Sequence, residues 1–371
     1  MLETRLKLLE CAELMNKKHR TFLSFGLYSL GILSFLLADI YVVASSSKNT
    51  VANWAFYKSM MFISASLCIL GYDQVLVRTP QLIHGIFKKF IGQSFLIALL
   101  ISSFLYYFVT GAANNIVWVF ANILAFSYLL FFSAAFRAQN QLIKAQFSTN
   151  FWKLLLLGCV YFNLFSNVAV WYFVPLFVVL IISFCLFMAD KQRVVTKDAD
   201  ELKNARRTGL LFFFHNLTLI VAIYGEQFLI NIFNDKEASY YLYSHFVVFT
   251  PIALSVNGFL GFYLAPKIRA NKNFTVNDYA KLSKKITLFS FAITLISTLI
   301  GILMFEVIVK SADKIIDTYI VSALFLLCLI RGIYTSSSVC LGVFASKKVL
   351  FITASINFLL LLLYISTIIL F

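Results

Sequence analysis

The chain has 371 residues, of which 61% are hydrophobic and only 13% charged, and its formal net charge is +15; the mean hydropathy is +0.88. Soluble domains carry about a quarter charged residues and just under half apolar ones, so a soluble globular protein is excluded. At about 20 apolar residues per membrane crossing, the hydrophobic 61% of 371 residues supplies about eleven crossings, which predicts an all-α integral membrane protein.

Residues 1–20 mix Glu3, Glu10 and Glu13 with basic residues and lack an apolar core, which predicts a cytoplasmic leader and not a cleaved signal peptide. Hydropathy then places six spans near 22–45, 53–72, 91–110, 117–136, 150–165 and 168–189. A polar stretch at 190–208 follows, and five further spans lie near 209–233, 239–264, 286–309, 316–345 and 349–371. The predicted organisation is thus a leader (1–20), a six-helix lobe (21–189), a cytoplasmic linker (190–208) and a five-helix lobe (209–371).

With the N-terminus inside, 24 Lys and Arg fall in inner segments, and only Lys48, Lys236, Lys310 and Lys314 fall in outer ones. That bias orients the chain with its N-terminus in the cytoplasm. It also accounts for the positive charge without a nucleic-acid partner. Six cysteines form no CxxC pair and five lie in apolar runs, so neither a disulfide framework nor a zinc site is expected. No cofactor is expected.

The two halves repeat. Asp39 and Lys58 lie 19 residues apart, as do Glu226 and His245, and a shift of 187 relates the pairs. Tyr57 and Pro80 match Tyr243 and Pro266 at a shift of 186, and Asn150-Phe151 matches Asn357-Phe358 at 207. Parallel repeats of this kind occur in transporters, with the substrate site between the halves. The second half lacks a counterpart of the sixth span.

An ionised side chain inside a span costs about 3 kcal/mol on insertion scales and marks a cavity or a partner. Arg331, near the middle of the tenth span, is a candidate for holding an anion through its planar fork; a structural pair with Glu226 or Asp39 is the alternative. Lys58 is a second candidate substrate contact, unless it pairs with Asp39 or reaches outward. Glu226, Asp39 and His245 are candidates for ion coupling, because a desolvated carboxylate takes up a proton and a histidine titrates near neutrality. Asp73 and Arg78, at the inner end of the second span, are candidates for a cytoplasmic gate or a helix-end ion pair. Asp198 and Asp200 form a DxD, read as part of a solvated linker helix. Pro175 and Pro251 each remove a backbone donor and are candidate bends.

Four stretches carry a family resemblance. Leu70-Gly71-Tyr72-Asp73-Gln74-Val75-Leu76-Val77-Arg78 resembles the LGLD-x-x-(L/I)-x-R stretch of polysaccharide flippases, and Phe136-Arg137-Ala138-Gln139 followed by Asn150 resembles their (Y/F)RA…N stretch. Ala238-Ser239-Tyr240-Tyr241 and Leu264-Ala265-Pro266-Lys267-Ile268 are similar to their G-x-Y and L-x-P-x-(I/L) signatures, although Ala238 or Ser239 stands where the family has glycine. The chain therefore resembles the Wzx-type flippases of the multidrug/oligosaccharidyl-lipid/polysaccharide exporter superfamily, whose members usually have twelve spans.

The resemblance implies a MATE-like pair of lobes around a cavity that opens alternately to either side of the bacterial inner membrane. It implies an undecaprenyl-pyrophosphate-linked oligosaccharide as substrate, a proton or sodium ion as driver, and lipids and polysaccharide assembly proteins as neighbours. A multidrug exporter of the same superfamily is the alternative. An enzyme is not expected, because no sizeable outer loop presents acidic residues.

Overall fold

The computed structural model describes residues 2–108, 116–165, 167–190, 199–233, 235–271, 273–309 and 316–370. Asp198, and Lys310 and Lys314 of the expected outer segments, lie outside the described residues. Every regular element among the described residues is helical. In chain order they are α1 (Leu2–Ser45), α2 (Lys48–Ile69), α3 (Tyr72–Arg78), α4 (Ile83–Phe108), α5 (Ile116–Ala138), α6 (Leu142–Tyr161) and α7 (Val168–Ala189). There follow α8 (Ala199–Ile232), α9 (Lys236–Phe249), α10 (Pro251–Ala270), α11 (Val276–Met304), α12 (Thr318–Phe344) and α13 (Lys347–Leu370).

Among the described residues, seven helices are long and apolar enough to cross a membrane, and the bent pairs α2/α3 and α9/α10 raise the number to nine. The two other spans expected from hydropathy correspond to α6 and α13. The chain is an all-α multi-pass membrane protein.

Two bends have local causes. Between α2 and α3 the axis turns by 51°, where Leu70 (φ 49°) and Gly71 (φ 71°) are both left-handed. Glycine adopts that conformation without a steric cost, which explains its place in the Leu70–Arg78 stretch. Between α9 and α10 the turn is 60°, and Pro251 stands at the first position of α10. Proline has no N–H to donate, so the helical bond to the Val247 carbonyl is missing there. Pro175, by contrast, lies inside an uninterrupted α7.

The described chain divides into two compact units. The first comprises residues 1–38 and 64–210, the second residues 39–63 and 211–371. Residues 39–63, from the first hairpin, therefore belong with α9–α13. The core of the first unit is aromatic: Phe90 stacks on Phe131 with centroids 4.7 Å apart, and Phe132 and Phe187 lie 5.1 Å apart. Ala205 of α8 is buried in this cluster, with Leu202 packed against it. A Cβ at Gly85 would sit 2.9 Å from Leu202. Residues 199–208, expected as solvated linker, are thus the first turns of α8 with one face buried.

Three helix starts of the second unit are capped by side chains, which satisfies backbone donors that have no partner within the helix. Asp235 caps α9, Asp317 caps α12, and Thr275 with Asp278 forms a reciprocal capping box on α11. One interhelical contact recurs at positions the sequence repeat pairs. Gly31 of α1 lies so close to Asn150 of α6 that a Cβ would stand 2.4 Å from the Asn150 Cβ. In the second unit Thr218, 187 residues after Gly31, donates to the Asn357 carbonyl at 3.3 Å.

Candidate functional site

Asp39 and Lys58 meet. Both are buried, at 3% and 4% exposure, and Lys58 Nζ lies 2.5 Å from Asp39 Oδ2. Asp39 Oδ1 accepts from Tyr243 OH at 2.7 Å and from Trp54 Nε1 at 2.8 Å. The Tyr243 hydroxyl in turn accepts from Trp54 Nε1 at 2.9 Å and from Lys58 Nζ at 3.2 Å. The single indole N–H is thus shared between two oxygens. All four residues belong to the second unit. Because α2 begins at Lys48, Lys58 sits at mid-helix and points into the protein, not outward. A buried charge pair repays its desolvation only when its remaining hydrogen-bonding capacity is satisfied, and Trp54 and Tyr243 do that for the carboxylate.

Arg331 occupies the midpoint of α12. Its Nη1 is buried and has no hydrogen-bond partner among the described residues. Two phenols, Tyr224 and Tyr334, are within electrostatic range. Tyr334 is hydrogen-bonded to the Asn357 side chain. Tyr224 stacks on Phe62 with centroids 4.8 Å apart, and it lies within range of both Asp39 and Arg331. Gln227, three residues further along α8, is buried with Oε1 unpartnered. A guanidinium carries five donors and cannot lose its charge, so the buried Nη1 retains unfilled donor capacity.

Glu226 and His245 do not repeat the Asp39–Lys58 contact. Glu226 is exposed on α8, whereas His245 is fully buried. The Tyr241 carbonyl lies 2.9 Å from His245 Nδ1, and a carbonyl only accepts, so Nδ1 carries the proton. Nε2 accepts the backbone N–H of Asp317 at 3.1 Å. Both nitrogens are therefore taken by backbone groups, and the ring is neutral in this arrangement. It packs against Phe305 at 4.8 Å. The residue ties α9 to the start of α12.

In the first unit, Asp73 accepts from Gln74 Nε2 at 3.1 Å and lies within electrostatic range of Arg137. The stretch at Leu70–Arg78 and the stretch at Phe136–Gln139 are thus brought together by α3 packing on α5. Arg78 lies half-buried in the last turn of α3.

Three residues outside the sequence-based candidates belong to these sites, Trp54, Tyr243 and Tyr224, and a further buried base, Lys153, lies in a cluster of its own. Lys153 is buried at mid-α6, donates to Asn150 Oδ1 at 2.8 Å, and lies over the rings of Phe35 and Trp152 at 5.6 and 5.9 Å. Asn150 Nδ2 in turn donates to Gln146 Oε1 at 2.5 Å. Hydropathy starts the span at Asn150 and leaves Lys153 at its mouth, whereas α6 begins at Leu142.

No protein-family model, no curated protein and no solved structure matches the chain. The fold defines a multi-pass α-helical membrane protein whose second unit holds a buried ion pair and an arginine with one buried, unpartnered nitrogen.

Proposed function

We propose that the chain is a flippase of the bacterial cytoplasmic membrane. In this reading it moves an undecaprenyl-pyrophosphate-linked oligosaccharide from the inner to the outer leaflet by ion-coupled alternating access, with its N-terminus in the cytoplasm. The observation that carries the reading is Arg331, whose buried Nη1 lacks a partner. A pyrophosphate offers paired oxygens that match a guanidinium fork. Tyr224 and Tyr334 beside it supply hydroxyls and ring faces for the first sugar. The four stretches that resemble polysaccharide flippases support the same substrate class.

Lys58 is engaged by Asp39 in this conformation, so it meets the anion only in a state where that pair opens. Opening would also free the Asp39 carboxylate for a proton, which makes the pair a candidate coupling element. His245, neutral and bonded to backbone on both sides, serves in this reading as a latch.

One observation favours the second reading, an exporter of organic cations: Glu226 is an exposed carboxylate on the apolar part of α8. Complementation of a deletion strain separates the two. Arg331→Ala should abolish surface polysaccharide at normal protein level, and Arg331→Lys should restore part of it. Wild-type polysaccharide with Arg331→Ala would remove the flippase reading. A drug-sensitivity phenotype confined to Glu226→Gln would favour the exporter.

A further inference from the structure

We propose that the first turns of α4 and α8 together form a binding surface for the headgroup of an anionic phospholipid. Lys88 and Lys89 of α4 and Arg206 and Arg207 of α8 are exposed. All four belong to the first unit, and none of them is in an ion pair among the described residues.

Packing brings the two pairs to one depth. A Cβ at Gly85 of α4 would stand 2.9 Å from the Leu202 side chain of α8, which fixes where the helices meet. Ala205 is buried in the same cluster as Ile86 and Phe90. Tyr72 donates to the Oε1 of Gln93, about two turns beyond Gly85, at 2.8 Å. Arg206, about one turn beyond Leu202, is within electrostatic range of Tyr72. The two helices therefore run in the same sense away from their contact. Lys88 and Lys89 follow Gly85 by about one turn, and Arg206 and Arg207 follow Leu202 by about one turn.

Apolar surface begins at the next turn of each helix. Ile91, one turn after Lys88, is 43% exposed, and Leu210, one turn after Arg207, is 41% exposed. Both helices are long and apolar enough to cross a membrane, so the four cations stand where acyl chains give way to headgroups. Their apolar stems can lie along the chains while the charged ends reach phosphate, and arginine grips phosphate oxygens in pairs. Basic clusters at this boundary attract anionic lipids.

The acids of this region leave that charge in place. Asp73 accepts from Gln74, and Asp190 accepts from Gln141 and Lys144. In the first turn of α8, Asp200 shares a side of the helix with Lys203, and Glu201 shares the side of the buried Ala205. The leaflet is the cytoplasmic one in the orientation proposed above, but lipid binding itself rests neither on that orientation nor on the flippase reading.

The test is native mass spectrometry of the full purified chain in detergent, which counts each bound lipid. The chain is titrated with phosphatidylglycerol or with phosphatidylcholine of the same acyl chains, and the wild type should bind phosphatidylglycerol more tightly. A charge beside an anionic membrane surface is worth about five-fold in affinity. Lys88→Gln/Lys89→Gln and Arg206→Gln/Arg207→Gln should therefore each weaken the first phosphatidylglycerol step at least ten-fold. Unchanged phosphatidylcholine binding shows that a variant is folded, and if one pair fails to fold the other decides. Lys284→Gln/Lys285→Gln removes an exposed basic pair from α11 and should leave the first step as in wild type. Equal affinity for the two lipids in the wild type, unchanged binding in the α4 and α8 variants, or an equal loss in the α11 variant would overturn the proposal.

Discussion

Replacing Asp39 by Asn tests whether the buried network stabilises the second unit. The side chain keeps its size but loses its charge, which leaves the Lys58 ammonium, 4% exposed, without its counter-charge. The amide also turns one acceptor oxygen into a donor, facing Lys58 Nζ or the donors from Trp54 and Tyr243. Breaking a buried pair from one side costs about 3–5 kcal/mol. At roughly 2–4 °C per kcal/mol for a domain of 150–250 residues, the melting temperature should fall by roughly 6–20 °C. The double variant Asp39→Asn/Lys58→Met removes both charges and should recover most of the loss. Tyr243→Phe removes one hydroxyl while Trp54 and Lys58 still reach Asp39, so about 1–2 kcal/mol is expected. The assay is a thermal ramp of the detergent-solubilised chain, read by the fraction that stays monodisperse on size exclusion. A single variant as stable as wild type, or a double variant as unstable as the single, would refute the reasoning.

Gly332→Ala places a methyl group 2.4 Å from the Ser290 Cβ and 2.5 Å from its Oγ, so it should destabilise by about 1–3 kcal/mol through overpacking. Gly342→Ala on the same helix meets nothing within 4 Å and should be neutral or stabilising in the same thermal ramp. His245→Ala removes the acceptor of the Asp317 N–H, and hydrogen exchange at that amide should accelerate while the end of α12 stays protected. Unchanged exchange at Asp317 would show that the histidine does not hold the start of α12.

Much of the helical plan was legible because apolar runs of about 20 residues state it directly. The 60° turn was legible at Pro251 for a chemical reason, the missing N–H. The turn at Leu70-Gly71 was not, because a left-handed corner leaves no mark in hydropathy and glycine has other uses. Helices begin ahead of the apolar runs where polar residues fill their first turns. Lys144, Gln146 and Asn150 hid the first turns of α6 and with them the mid-helix position of Lys153. Counting would have exposed that residue: of 31 basic side chains, 24 fall in inner and four in outer segments, leaving Lys58, Arg331 and Lys153. Asp39 and Lys58 were legible as an intramembrane acid and base, but Trp54 and Tyr243 were not. Tyr243 lies 204 residues from Asp39, and the repeat that pairs it with Tyr57 gives no sign that it reaches that carboxylate. The equal spacing of Asp39–Lys58 and Glu226–His245 does not carry equal contacts, because spacing sets the position along a helix and not the face that packing buries.

Lipid-linked oligosaccharides in a strain deleted for this gene test the flippase reading most directly. Their leaflet distribution should be scored together with surface polysaccharide, in the deletion and after complementation with wild type and Arg331→Ala. The account predicts repeat units trapped on the inner leaflet and no surface polymer in the deletion, rescue by wild type, and no rescue by Arg331→Ala. Normal surface polymer and normal leaflet distribution in the deletion strain would contradict it.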